Sequence, residues 1–157
     1  MQCDLDEIYL DKIYVNIVAD LARKSTCYKK KTAAIIVKDK KILSCGYNGV
    51  VEGATRCDQV RIPLEQHYKW SIANEIHGEM NAILDSAKRG GTPLEGAVMY
   101  TLLSPCIHCA KSIQVAGIKR VVYVQKYERD PGGIEFLLLH GIKVDNTAQP
   151  DCQIFLD

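Results

Sequence analysis

Apolar residues Leu10, Ile13, Ile17 and Leu21 recur at helical spacing, so residues 6–24 are predicted as one amphipathic helix, ended by Ser25-Thr26-Cys27. Two apolar runs, 32–37 and 41–46, predict strands joined by a tight Lys38-Asp39-Lys40 turn. From Asn48-Gly49 to Ala73 the pattern is polar and aperiodic, which predicts a long loop. A loop of that length inside a compact domain is usually functional or tied down by a metal. Periodicity returns at Glu75: Ile76, Met80, Ile83, Leu84 and Ala87 mark a second helix, stopped by Gly90-Gly91. A buried strand is expected over 97–103, then a short helix opened by Pro105 and closed by Gly117. A strand over 120–125, a helix over 134–140 stopped by Gly141, and a strand over 142–146 complete the pattern. The segment from Thr147 onward gives no clear prediction. The order α-β-β-α-β-α-β-α-β implies an α/β fold: an α-β-α sandwich with a central mixed five-stranded sheet, expected as one domain over residues 1–157.

Composition narrows the class of ligand. The 157 residues fit a single domain, with 47% hydrophobic and 25% charged residues. Twenty basic residues stand against 19 acidic ones, a net charge of +1. Proteins that live on a phosphate backbone are usually far more basic, so the balance points to a small molecule and away from a nucleic acid polymer. No apolar run reaches membrane-spanning length, and the acidic start Met1-Gln2-Cys3-Asp4-Leu5-Asp6-Glu7 lacks a signal-peptide core. The expectation is a cytoplasmic protein with reduced thiols. Its seven cysteines are then better explained by metal binding or catalysis than by disulfides.

The chemistry concentrates in two segments, His77-Gly78-Glu79 and Pro105-Cys106-Ile107-His108-Cys109. Cys106 and Cys109 are three apart at a helix start, which puts both sulfurs on one face. With His77 they make a three-ligand set, suited to one zinc per chain with a fourth position left for water. Glu79, two residues beyond His77, is placed to move protons to and from that water. The bland readings are a satisfied core histidine, two buried thiols behaving as small apolar residues, or a structural zinc knot. This H-x-E…P-C-x-x-C spacing is the known zinc-deaminase signature.

Beyond that signature the chain resembles the deoxycytidylate deaminases, in particular their phage and bacterial branch. The resemblance runs from about Leu21 to Asn146. It is carried by Ser25-Thr26-Cys27, Cys45-Gly46-Tyr47-Asn48-Gly49, the stretch Asn74-Glu75-Ile76-His77-Gly78-Glu79-Met80-Asn81-Ala82-Ile83, and Leu103-Ser104-Pro105-Cys106-Ile107-His108-Cys109-Ala110-Lys111. The motif departs from the family in one place, with Gly78 where alanine is usual. The resemblance implies a cytidine deaminase-like fold and hydrolysis of dCMP to dUMP for thymidylate synthesis. On that resemblance, water activated by zinc would attack C4 of cytosine while Glu79 would deliver the proton to N3 and to the leaving ammonia.

The resemblance also implies roles for other residues. Asn48 would hydrogen-bond the sugar, although Asn-Gly is also a common turn pair. Lys29 and Tyr127 would meet the 5′-phosphate, although Lys29-Lys30-Lys31 also reads as a solvated run. Ser25 and the Pro105 turn would contribute to substrate binding. Gly46, Tyr47, Gly49, Asn74 and Glu75 would hold a regulatory nucleotide with Mg2+, dCTP activating and dTTP inhibiting, in a homohexamer. Some relatives carry a second, structural zinc, and Cys57, His67 and Glu75 fall in similar places, with Cys27 available as a fourth ligand; Cys57 and His67 are otherwise ordinary loop residues and Glu75 a helix-start carboxylate. Cys3, Cys45 and Cys152 read as plain thiols and Trp70 as packing. Three other functions share the motif: a dCTP deaminase, a deaminase of polynucleotide cytosine or adenine, and a catalytically inactive zinc- or nucleotide-binding scaffold. An intact Glu79 argues against the last.

Overall fold

Strand β1 (Ala33–Lys38) reads AAIIVK, a run that needs apolar cover on both faces. It finds that cover inside a five-stranded sheet ordered β2 (Lys41–Tyr47), β1, β5 (Val98–Leu103), β6 (Arg120–Gln125), β7 (Lys143–Asn146). β1 runs antiparallel to β2 and β5, while β5, β6 and β7 are parallel, so the sheet is mixed as expected. The computed structural model describes residues 2–147; Cys152 and the side chain of Cys3 lie outside the described residues.

The two-residue period of the strands sorts their side chains into two apolar layers. Ala33, Ile35 and Val37 of β1, Tyr100 and Leu102 of β5, and Val122 and Val124 of β6 pack with Tyr14, Val15, Val18, Ala19 and Ala22 of α1 (Gln2–Ala22). Ala34, Ile36, Met99 and Val121 face the other way. They meet Ala82 of α4 (Gly78–Lys88), Ala110 and Ile113 of α5 (Ile107–Val115) and Leu137 of α6 (Gly132–Leu139). Each Ile or Leu fully buried in these layers contributes roughly 1.5–3 kcal/mol.

Two expectations need correction. The segment expected as a loop over 48–73 holds β3 (Gly49–Val50), α2 (Cys57–Val60) and α3 (Leu64–Asn74). α3 buries His67 and no apolar side chain, so it leaves no hydrophobic period to read. The helix expected to begin at Glu75 begins at Gly78. Glu75 and Ile76 form β4 (Glu75–Ile76) instead, paired antiparallel with β3 through Gly49↔Ile76 and Val50↔Glu75. His77 is thus the extended residue that caps α4 (φ −66°, ψ 152°), not a member of its first turn.

Close backbone approach explains two glycines. A Cβ at Gly46 would collide with the backbone of Asn81 and Ala82, so glycine lets α4 lie directly on β2. A Cβ at Gly78 would come to 3.0 Å from the Ala33 Cα, so glycine lets the start of α4 lie close against β1.

Candidate active site

Two helix starts converge at one end of the sheet. β5 runs into Ser104-Pro105-Cys106, and Cys106 caps α5 with its sulfur accepting the Cys109 N–H at 3.5 Å. Cys109, one turn along, is buried. From the other side His77 caps α4, and Glu79 lies buried in that helix's first turn. Both helix N-termini face the site, and their dipoles favour negative charge there.

His77 Nδ1 stands 3.5 Å from the sulfurs of both Cys106 and Cys109. Zn–N and Zn–S bonds at a tetrahedral angle would separate nitrogen and sulfur by about 3.6 Å. The donors are therefore spaced as one tetrahedral ion requires, with its fourth position free for water. Proton sharing among these groups fits the same view. Hydrogen bonding with Cys109 and His77 holds the Cys106 thiol down to about 4, while the shared proton drives Cys109 up. The hydrogen bond to Cys106 raises His77 to about 9. A divalent cation takes the place of those protons. Burial pushes the Glu79 carboxyl up to about 7, partly offset by attraction to His77. Such a group exchanges a proton readily near neutrality.

His77, Glu79 and Cys106 open on a cleft of about 740 Å³, counted with its mouth. Lys29, Asn48 and Tyr127 line it. Asn48 is also structural: its Oδ1 accepts from Thr32 N at 2.9 Å and its Nδ2 donates to Lys30 O at 2.8 Å, shaping the 30–32 wall. Ser25 is not among the residues lining the cleft. Its hydroxyl donates to Asn48 O at 2.8 Å and accepts from Cys27 N, so it supports the wall from behind. Pro105 is buried beneath the cleft, its carbonyl packed so closely on Gly133 that no Cβ fits there. Four cleft residues escaped the sequence reading: Thr32, Tyr68, Ser71 and Arg129. Thr32 has a buried Oγ1 without a protein partner; Tyr68 belongs to the helix that was not foreseen; Arg129 sits in the β6–α6 turn. No periodicity or motif marks any of them.

A second donor cluster borders the cleft. Donor atoms of Cys27, Cys57, His67 and Glu75 all lie within 4.8 Å of one another. Cys27 Sγ is 3.4 Å from His67 Nε2, again a tetrahedral edge. Backbone N–H groups of Lys30 and Tyr28 point at the sulfurs of Cys27 and Cys57. Glu75 Oε1 is buried with no hydrogen-bond partner. Burial pushes Cys27 up to about 12, raises Cys57, and lowers His67. An orphaned carboxylate oxygen beside two thiols and a neutral imidazole is the donor chemistry of a closed four-ligand zinc site.

The residues grouped by resemblance as a regulatory site divide. Gly46, Tyr47 and Gly49 line a separate cleft with Arg56, Asn81 and Lys88. Glu75 turns instead to the second donor cluster and the main cleft, and Asn74 Nδ2 donates to Trp70 O within α3. Among the described residues no helix is long and apolar enough to cross a membrane.

Residues 9–125 match the family model described as the cytidine and deoxycytidylate deaminase zinc-binding region. The chain is 36% identical to the deoxycytidylate deaminase of Enterobacteria phage T2, over 82% of this chain and 87% of that protein. It is 40% identical to the ComE operon protein 2 of Bacillus subtilis (strain 168), over 81% of this chain and 65% of that one. The dCMP deaminase of the cyanophage S-TIM5 in apo form superposes with a TM-score of 0.73 at 28% identity, covering 88% of this chain and 98% of that chain. The same enzyme in complex with dCMP and dUMP gives 0.69 at 29% identity, covering 94% and 99%.

Proposed function

Because this chain belongs to the zinc-binding cytidine and deoxycytidylate deaminase family, we propose that it hydrolyses free dCMP to dUMP and ammonia. The observation that carries this reading is the His77–Cys106–Cys109 donor set with the buried Glu79 carboxyl beside it. Those three residues would hold zinc, which would lower the pKa of a bound water so that its deprotonated form could serve as the nucleophile toward C4 of the cytosine ring. Glu79 accepts the water's proton, passes it to N3, and delivers a proton to the departing amine. In this reading Thr32 and Asn48, which line the cleft, take the sugar, and Lys29 and Tyr127 take the phosphate. The S-TIM5 enzyme, whose structure holds dCMP and dUMP, supports the choice of substrate.

Three finer features belong to the same reading. The Cys27–Cys57–His67–Glu75 cluster holds a structural zinc that ties α2 and α3 to the cleft wall. The cleft at Gly46, Tyr47 and Gly49, with cationic Arg56 and Lys88, takes a regulatory triphosphate with Mg2+, dCTP as activator and dTTP as inhibitor. The enzyme works as a cytoplasmic homohexamer supplying uracil deoxynucleotide for thymidylate synthesis.

An ultraviolet deamination assay with dCMP, dCTP, CMP and deoxycytidine, each with and without dTTP and Mg2+, tests the activity. dCMP should turn over fastest and dTTP should slow it. No turnover of any of the four by zinc-loaded protein would refute the assignment.

Metal analysis tests the second site. Purified protein should carry two zinc ions per chain, and Cys57→Ser should carry one. Cys57 does not line the cleft, so the variant should keep the catalytic ion while melting several degrees lower. A single zinc in the unaltered protein would remove the structural site from this account.

A further inference from the structure

We propose that Arg129 recognises the substrate's 5′-phosphate and that Tyr68 positions its guanidinium for that contact. The inference rests on the nucleotide-deaminase reading of the same cleft. Arg129 and Tyr68 come from distant parts of the chain and meet on the cleft wall. The Arg129 Cζ lies 4.2 Å from the centroid of the Tyr68 ring. Among the described residues the guanidinium makes no ion pair and no hydrogen bond. A cation held through a ring face keeps most of its N–H donors open for an anion.

The turn that carries Arg129 is fixed to the metal-ligand loop. Tyr127 N donates to Ser104 Oγ at 2.8 Å, and Asp130 Oδ2 accepts from Ile107 N at 3.1 Å. Gly133 closes the arrangement by packing on the Pro105 carbonyl. Arg129 is thus held in register with Cys106, and so with the reacting ring. Tyr68 adjoins His67, whose ring belongs to the second donor cluster, so the aromatic platform is anchored as well. Lys29 offers the cleft a compact point charge on a flexible stem, whereas the arginine fork can hold two phosphate oxygens at once. A nucleoside has no group for this fork.

Steady-state kinetics of Arg129→Ala, Arg129→Lys and Tyr68→Leu test the proposal, with dCMP as substrate and deoxycytidine as the control lacking phosphate. Arg129→Ala should raise KM for dCMP roughly 30–100-fold with kcat within about threefold, the signature of lost charge-assisted binding. Arg129→Lys should recover part of the loss, and Tyr68→Leu should raise KM by about 3–10-fold, as expected for a lost cation–π support. Inorganic phosphate should inhibit the unaltered enzyme and lose that effect in Arg129→Ala. An unchanged KM for dCMP in Arg129→Ala, or a fall in kcat at steady KM, would overturn the phosphate role and leave the deaminase reading standing. Equal losses on dCMP and deoxycytidine would do the same. If the unaltered enzyme turns over neither substrate, the deaminase reading falls and takes this role with it.

Discussion

Glu79→Gln is expected to lower kcat for dCMP by about 10²–10⁴-fold, the usual contribution of a positioned acid–base group. Zinc content and melting temperature should stay close to those of the unaltered protein. The replacement is nearly isosteric, and Glu79 belongs to neither donor cluster. What changes is the ability to accept and release a proton in a buried position, where the carboxyl is pushed up to about 7. KM should move little, because the lost interaction is used mainly as protons move. Cys106→Ala offers the contrast: it removes a donor, so activity and one metal ion should disappear together. If Glu79→Gln loses zinc along with activity, the residue supports the metal site and the proton-transfer role is refuted. If it retains full turnover, another group moves the protons.

Much of the sheet and the grouping of His77, Cys106 and Cys109 were legible because both depend on local patterns. Ile35/Val37 against Ala34/Ile36 already announces a strand covered on two faces, and Cys106 and Cys109 carry their geometry in their spacing. The segment from Asn48 to Ala73 was not legible for the opposite reason. α3 is held by His67 in a polar donor cluster and not by an apolar stripe, so a helix formed there without a hydrophobic signal. The start of α4 was misplaced because Ile76 fits its apolar stripe, yet pairing with Gly49 draws it into β4. Residues that act across the fold leave no trace in neighbouring positions. Arg129 and Tyr68 lie 61 positions apart and meet through tertiary packing alone. Ser25 matched a motif, but only the structure shows its hydroxyl used up in holding the wall behind Asn48.

Arg120→Met is expected to be the most destabilising surface-remote substitution, costing about 3–5 kcal/mol because it leaves a buried carboxylate without its partner. Arg120 opens β6 and is 8% exposed. Its Nη1 and Nη2 donate to the two oxygens of Asp11 on α1 at 2.9 and 2.7 Å, and its Nε to Asp145 on β7 at 2.6 Å. Tyr100 Oη donates to the same Asp11 oxygen at 2.7 Å, and Glu7 adds a more exposed ion pair at 3.0 Å. One guanidinium thus joins the α1 layer to two strands. For a domain of this size the melting temperature should fall by roughly 6–20 °C. Asp11→Asn should cost less, since an amide oxygen still accepts from Tyr100 and Arg120 keeps Asp145 and Glu7. Asp11→Asn/Arg120→Met should be more stable than Arg120→Met alone, because the stranded charge is gone. Acid sensitivity gives an independent check. Burial pushes the Asp145 carboxyl up, but hydrogen bonds and attraction from Arg120 and Lys143 win and hold it below its ordinary 3.8. That contribution is full above the ordinary value and is lost as pH falls through the depressed one, so the variant should show a flatter loss of stability in acid. Activity per folded molecule at 25 °C should stay within about twofold, since Arg120 begins β6 and the cleft lies beyond that strand's far end. A melting temperature unchanged in Arg120→Met would mean that Asp11 reaches solvent and that the buried cluster does not hold α1 on the sheet.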